Sequence, residues 1–352
     1  LIDIFFSKTH RITAYSFKSS LYSRLLGKSS KSCFSSTYFI IFIAFSERLK
    51  FFKGFMKTYL LPIAVACTST ILACNPLFDS RFICTHDLTQ HHLPFFSLYR
   101  SLVWSSGELP RWLHNIWFGT PCPRFYSPLT YWFSLLIPVK ENILALKLLI
   151  MLTFFFSALA AYAAAYHLLR NVSAAVIVAF AYSLNGYHLL DSLVRGALAE
   201  VFGFVWIPLI LLTFYKTLIE SKPTKWILLS GLFLGLEVLT HFLTAYLAGL
   251  MLIILMILIS PLRRSVLRGI LIFLFATGLS AWWAIPFFFE SSLVLMSGIQ
   301  VAYQWPYTLT VFLKSISQVL VRRVWEYPNT APDWSLYMGN AILTLAFLSI
   351  FL

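Results

Sequence analysis

Asp87 and His91 stand four residues apart in the run Cys84-Thr85-His86-Asp87-Leu88-Thr89-Gln90-His91-His92. On a helix that spacing puts both on one face. A carboxylate beside an imidazole can take a proton from an acceptor hydroxyl, contact a phosphate or bind a metal ion. The same residues also fit a purely structural role. Asp87-Leu88-Thr89-Gln90 matches a capping box, with Asp87 as N-cap and Gln90 at the third helical position. Three imidazoles crowded onto one turn, His86, His91 and His92, favour chemistry over capping alone. Taken singly, His86 and His92 read as polar residues at a membrane interface.

A second constellation runs from Tyr187 to Glu200. If it is helical, His188, Asp191 and Arg195 share a face, and Gly196 offers a break before the next apolar run. The chemical use of such a set is a phosphate clamp, with Arg195 as the cation and Asp191 and Glu200 beside it. The simpler alternative is a local Asp191–Arg195 ion pair. Glu237 and His241 form a third pair, again four apart, inside or at the end of an apolar stretch. Ionisable groups at membrane depth are costly and point to function. A buried Glu–His hydrogen bond is the competing account. The loop 290–335 is rich in Trp and Tyr and carries Arg322 and Arg323. An interfacial aromatic belt explains it most simply.

These groups must be positioned by membrane helices. Of the 352 residues 59% are hydrophobic and only 11% are charged, which excludes an ordinary soluble domain. Apolar runs predict spans at 58–78, 143–167, 172–190, 198–219, 225–240, 242–260, 269–289 and 336–352. Arg170, then Lys216, Lys222 and Lys225, then Arg263, Arg264 and Arg268 mark turns at or near the span ends. Placing them with Lys57 in the cytoplasm gives one consistent path, with a cytoplasmic N-terminus and two large outer loops, 79–142 and 290–335. The Tyr126–Pro138 segment then reads as a helix on the membrane surface or half-buried in it.

The net charge of +14 is explained by the positive-inside rule and gives no reason to expect nucleic acid. No CxxC pair, Walker motif, GxGxxG or GxSxG occurs. Cys84 and Cys122 share the first polar loop, where a disulfide and two free thiols are both open. Asn171-Val172-Ser173 matches a glycosylation sequon but falls in a turn assigned to the cytoplasm. Ile71-Leu72-Ala73-Cys74 loosely resembles a lipoprotein cleavage site, though the spans already anchor the chain. Residues 1–55 are Ser-rich and basic, and Met56-Lys57 precedes an apolar run. The expectation is a disordered or non-native extension over 1–55, with a membrane domain over 56–352 that is truncated at its C-terminus.

Several stretches occur in an order that resembles a known family. They are His86-Asp87-Leu88-Thr89-Gln90-His91, Ser106-Gly107-Glu108-Leu109-Pro110-Arg111-Trp112, Gly119-Thr120-Pro121 and Phe125-Tyr126-Ser127-Pro128-Leu129-Thr130-Tyr131-Trp132. Tyr187-His188, Arg195-Gly196-Ala197-Leu198-Ala199-Glu200 and Pro208-Leu209 follow. The set resembles the 6-pyruvoyl-tetrahydropterin synthase-related membrane domain family of prokaryotes, which is similar to the GT-C glycosyltransferase superfamily. The resemblance covers roughly residues 56–350. It implies an all-α polytopic GT-C-like bundle with large outer loops in the cytoplasmic membrane, and sugar transfer from a polyprenyl-phosphate carrier to an extracytoplasmic acceptor. Asp87 then maps to the first-loop acid, the base or metal-contacting residue, while Arg195 and Glu200 map to an RG-x-x-x-E element. One departure stands out: a glycine-rich apolar turn is replaced here by Thr120-Pro121-Cys122-Pro123-Arg124.

The expected function is therefore that of an integral-membrane glycosyltransferase. Asp87 and His91 are its catalytic candidates. Asp191, Arg195, Glu200 and His241 are its substrate-binding candidates, and a divalent cation is a candidate cofactor. A transporter or flippase for a lipid-linked or anionic solute, and a non-catalytic envelope assembly protein, are the rival classes.

Overall fold

The computed structural model describes residues 59–80, 87–116, 119–122, 124–259 and 262–291. The extension expected over 1–55, Cys84, His86, the aromatic loop beyond Ser291 and the span at 336–352 lie outside them. The chain divides into two compact units, 1–65 and 66–352. The boundary falls inside helix α1 (Leu61–Ala73). Of the first unit, residues 59–65 are described and are helical.

The second unit is helical apart from a two-residue antiparallel pair, among the described residues. After a π-helical turn, Leu88–His92, come α2 (Leu93–Ser106), β1 (Trp112–Leu113), β2 (Thr120–Pro121) and α3 (Leu129–Ser134). Then come α4 (Asn142–Leu169), α5 (Val172–Ser183), α6 (Gly186–Leu190) and a second π turn, Asp191–Arg195. The bundle is completed by α7 (Leu198–Gly203), α8 (Trp206–Ile219), α9 (Thr224–Thr240), α10 (Phe242–Ile259) and α11 (Leu262–Glu290). Among the described residues, four stretches are long and apolar enough to cross a membrane: Asn142–Leu169, Val172–Arg195, Leu198–Ile219 and Ser265–Glu290. The protein is an all-α, multi-pass membrane protein. Helices appear at each predicted span from 58–78 to 269–289.

The helix ends are written in the sequence. Glu141 caps α4 by accepting from the amides of Ile143 and Leu144, and Asn171 caps α5 by accepting from Ala174. The sequon asparagine thus serves as a cap. Between these two helices Arg170 takes a left-handed conformation, with φ of 55°.

Small residues let the long helices approach closely. The alanines from Ala160 to Ala165 in α4 are buried, as are Ala175 and Ala179 on neighbouring α5. Gly231 and Gly235, four apart on α9, face α11. A methyl group at Gly231 would lie 2.9 Å from the Ile272 carbonyl oxygen, and one at Gly235 would lie 3.2 Å from that of Ala276. Small-xxx-small spacing of this kind supplies close packing where lipid gives helices no hydrophobic reason to associate. Outward, Ile254, Ile257, Leu258, Leu267, Leu274 and Phe289 are exposed, as lipid-facing residues must be.

One end of the bundle is basic. Arg268 donates to the carbonyls of Thr217 and Leu218 at the C-terminus of α8, and Lys216 pairs with Glu220 at 3.4 Å. The other end carries the acids. Here the segment 124–134 is gripped from several sides. Ser127 donates to the Val238 carbonyl, the Trp283 indole donates to that of Tyr126, Trp132 stacks on Trp282, and Arg124 pairs with Glu290 at 3.1 Å. This corrects one expectation. Helix α3 is not a surface helix: Leu129, Thr130, Tyr131 and Ser134 are buried, packed between α2, α4, α7 and α9. Its Trp and Tyr resemble interfacial residues, but their partners are Phe95, Tyr99 and Trp282.

Candidate active site

The π turn that opens α2 sets Asp87. It has helical backbone angles and makes no capping hydrogen bond, so the capping box does not form. Its Oδ2 instead accepts from Arg195 Nε at 2.9 Å, across 108 residues of chain. Arg195 Nη1 also donates to Asp191 Oδ1 at 3.0 Å and to Glu200 Oε2 at 2.9 Å. The local Asp191–Arg195 pair is therefore real, but it is only one edge of a four-residue centre.

The second π turn and its glycine build this centre. Gly196 has φ of +70°, and its amide and that of Ala197 both return to the Asp191 carbonyl. A left-handed residue is needed for that reversal, and glycine adopts it without a Cβ clash. The chain turns back, and α7 presents Glu200 to the arginine that precedes the turn. Tyr187, one α-helical turn before Asp191, donates its hydroxyl to Glu200 Oε1 at 2.5 Å.

Burial grades the acids. The Asp191 side chain is 1% exposed, that of Glu200 11%, and that of Asp87 35%. Asp191 Oδ2 is buried and has no hydrogen-bond partner among the described residues. A buried acceptor left unsatisfied costs about 1–3 kcal/mol. It thus marks a place where a hydroxyl or ammonium donor would be welcome. Three carboxylates also face one guanidinium, so the centre favours donors over anions. The anticipated phosphate clamp at Arg195 would have to form beside all three.

The remaining candidates surround this core to different degrees. His91 is exposed on the same turn as Asp87. His241 ends α9, half-buried, close enough to Glu200 and Arg195 to feel their charges; burial lowers its basicity. Its Nδ1 lies 3.3 Å from Thr244 Oγ1, and Thr244 donates to Glu237 Oε1. A threonine therefore bridges the expected Glu237–His241 pair. Glu237 is fully buried against Gly203, and its Oε2 has no partner among the described residues. His188 departs from its expected face. It is stacked on Phe154, its Nδ1 is 3.3 Å from the Tyr182 carbonyl, and it belongs to the core.

Spacing alone does not single out three neighbours. Tyr187 orients Glu200. Tyr126 feels the charges of Asp87, Arg195, Glu200 and Asp191. His92, expected at an interface, is 3% exposed, with Nδ1 2.9 Å from the Tyr131 hydroxyl. Burial, and then the charges of His91, His241 and Arg195, lower its pKa to about 3, so it is neutral at physiological pH. The FYSPLTYW stretch that carries the family resemblance is the available signal for Tyr126 and Tyr131. Nearby, Cys122 has no disulfide partner among the described residues, with the candidate partner Cys84 outside them, and burial pushes its thiol up to about 12.

No family model and no curated protein matches the chain. The motif-based resemblance to the 6-pyruvoyl-tetrahydropterin synthase-related family has no such model behind it. A solved structure with a similar fold is the archaeal oligosaccharyltransferase AglB from Archaeoglobus fulgidus, in complex with an inhibitory peptide and a dolichol-phosphate. The likeness has a TM-score of 0.52 at 13% identity and covers 84% of this chain and 43% of that one. The membrane helical bundle of this chain thus shares its fold with that neighbour. The chain spans less than half the length of that neighbour, and at this identity the likeness concerns fold alone.

Proposed function

We propose that the protein is a membrane glycosyltransferase that moves a sugar from a polyprenyl-phosphate donor to an acceptor hydroxyl on the extracytoplasmic face of a prokaryotic cytoplasmic membrane. One observation carries this reading. Asp87, the most exposed of the three acids, is held by Arg195 beside a buried acceptor, Asp191 Oδ2, that has no donor among the described residues. The GT-C-like fold supports it, as does a neighbour solved with a dolichol-phosphate.

In the proposed reaction the acceptor oxygen attacks the anomeric carbon. The new C–O bond forms as the bond from that carbon to the phosphate oxygen breaks. The phosphate leaves with the electron pair, and the hydroxyl proton passes to Asp87. Arg195 is a positioning residue, held by Asp191 and Glu200, and Tyr187 fixes Glu200. In this reading His91 and His241 donate to the departing phosphate and offset part of the repulsion from the acids. Burial around Asp191 and Glu200 strengthens the interactions made on that side of the centre.

A divalent cation would need ligands that converge. Among the described residues no group of three His, Cys, Asp or Glu side chains could hold one. Asp87, Asp191 and Glu200 converge on Arg195 instead, so the residues present do not fit a preformed ion cage, and no step is assigned to a metal.

The test is sugar transfer from a lipid-linked donor by the Asp87→Asn protein. Loss of a general base is expected to slow transfer about a hundredfold or more. Wild-type rates would sink the role. The rival transporter or flippase draws on one specific feature, the buried Glu237 deep in the bundle. It requires solute uptake by proteoliposomes that depends on Glu237, with no covalent change to any acceptor.

A further inference from the structure

Beyond the reacting centre, the far end of α2 forms one wall of an open cleft of about 450 Å³. That volume lies within the usual range for small-molecule sites, about 300–1,000 Å³. The fourteen residues of α2 span about 21 Å at 1.5 Å per residue, so the cleft stands well away from Asp87. Leu98 and Leu102, four apart on α2, give it an apolar wall. The opposite wall is the turn from Glu108 to Asn115.

Trp112 dominates that wall. It is 47% exposed, yet its indole is held in place. Gly119, with φ of +106°, brings its backbone against the ring edge, and a methyl group there would lie 2.5 Å from the indole nitrogen. The β1–β2 pair, anchored by buried Leu113, fixes the backbone on either side. The result is a half-exposed aromatic surface with backbone packed along its edge. Around it stand a carboxylate at Glu108, a guanidinium at Arg111 and an amide at Asn115. Glu108 and Arg111 offset each other, and His114 adds an imidazole to the rim, so the cleft has no cluster of fixed cations of the kind that selects phosphate. An apolar surface edged by neutral-on-balance donors and acceptors matches one ligand chemistry well: a pyranose ring, with a C–H face to lie on the indole and hydroxyls to meet the polar rim.

We infer that this cleft is a glycan subsite that binds sugar rings remote from the reacting bond. Its place in a reaction rests on the sugar-transfer reading, but its existence does not. Remote binding of this kind can be used to align a substrate whose chemistry happens elsewhere. The sugar rings would belong either to a lipid-linked donor or to a glycosylated acceptor.

The test uses the purified full chain in detergent micelles, with mannotriose and triacetylchitotriose as probes in saturation-transfer NMR. At least one trisaccharide is expected to bind. Trp112→Ala should weaken it about tenfold or more, Trp112→Phe less than threefold, and Glu108→Gln an intermediate amount. Retention by the phenylalanine variant separates loss of the platform from loss of the fold. Asp87→Asn should bind like wild type, so the cleft survives if the transfer reading fails. Displacement by a lipid-linked oligosaccharide identifies the donor as the source, and displacement by a glycopeptide identifies the acceptor. Failure of both to displace, no binding of either probe, or wild-type binding by Trp112→Ala would overturn the inference.

Discussion

Arg100 and Arg195 both stand at the acidic end of the bundle, yet they are held in opposite ways. Arg100 is 1% exposed. It donates to the carbonyls of Ser134, Ile137 and Val139 and to Asn142 Oδ1, while Trp104 and Phe96 lie against its guanidinium at 4.2 and 5.1 Å. All four of these acceptors are neutral, and three are backbone. Arg195 is 31% exposed and grips three carboxylates. The first arrangement ties the C-terminus of α3 and the following loop to α2, using carbonyls that the helix end leaves without intrahelical partners. The second holds acids from three separate segments around one cation at a partly open surface. A guanidinium on carbonyls is a staple; a guanidinium on carboxylates organises charge where a ligand can reach it.

Substitution should pull these two roles apart. The largest effect is expected at the second site. Arg195→Met should lower sugar transfer about a hundredfold or more, as Asp87→Asn does, because the base is no longer held. Arg195→Lys should recover only part of the rate, since an ammonium cannot reproduce the fork. Transfer assays on the purified variants check both. If Arg195→Met transfers at the wild-type rate, the distinction between staple and centre collapses.

Arg100→Met should act on stability instead. It leaves the Val139 carbonyl without its donor, while those of Ser134 and Ile137 lose the arginine but keep the backbone amides of Ile137 and Val139, so a loss of about 1–3 kcal/mol is expected. Thermal unfolding in detergent measures it. Transfer per folded molecule should stay near wild type; a hundredfold fall at an unchanged melting temperature would place Arg100 in the chemistry after all.

Tyr187→Phe should be smaller again. It removes one hydrogen bond to the Glu200 carboxylate, about 1–2 kcal/mol, and should slow transfer about tenfold without abolishing it. Glu200→Gln combined with Tyr187→Phe should be less than additive, which a double-mutant cycle reads directly.

The smallest effect concerns pH. His92 has a folded pKa of about 3 against an ordinary value of 6.5. Between these values the unfolded chain binds a proton that the folded chain does not, so stability falls as pH drops through that window. His92→Gln should flatten the melting temperature between about pH 6 and pH 4 by roughly one proton's worth of slope, leaving the Arg195 centre intact. An unchanged slope would show that His92 does not carry this dependence.

Much of the fold is legible in the sequence because lipid demands long apolar runs and helices within them. The run from Asn142 to Leu169 could hardly be anything else. The segment 126–138 is not legible in the same way. Tyr131 and Trp132 suit a membrane interface and a buried aromatic cluster equally well, and only their neighbours tell the two apart. The site divides along the same line. Asp191 and Arg195, four apart, can be paired by spacing, and Gly196 marks the turn. Asp87 is singled out by its type and its neighbours, but a capping role suits it as well.

By itself, then, the sequence determined the class of protein, where its helices run and which residues were costly enough to need a reason. These properties rest on short-range periodicity and on the transfer of apolar groups out of water. Tertiary structure alone decided that Asp87 meets Arg195 across 108 residues, that Glu200 joins them, and that His188 goes to the core. A helical pattern reports which side chains share a face. Which faces meet is settled by packing, here by Gly203 against Glu237, by the Gly196 reversal and by Tyr187 reaching Glu200.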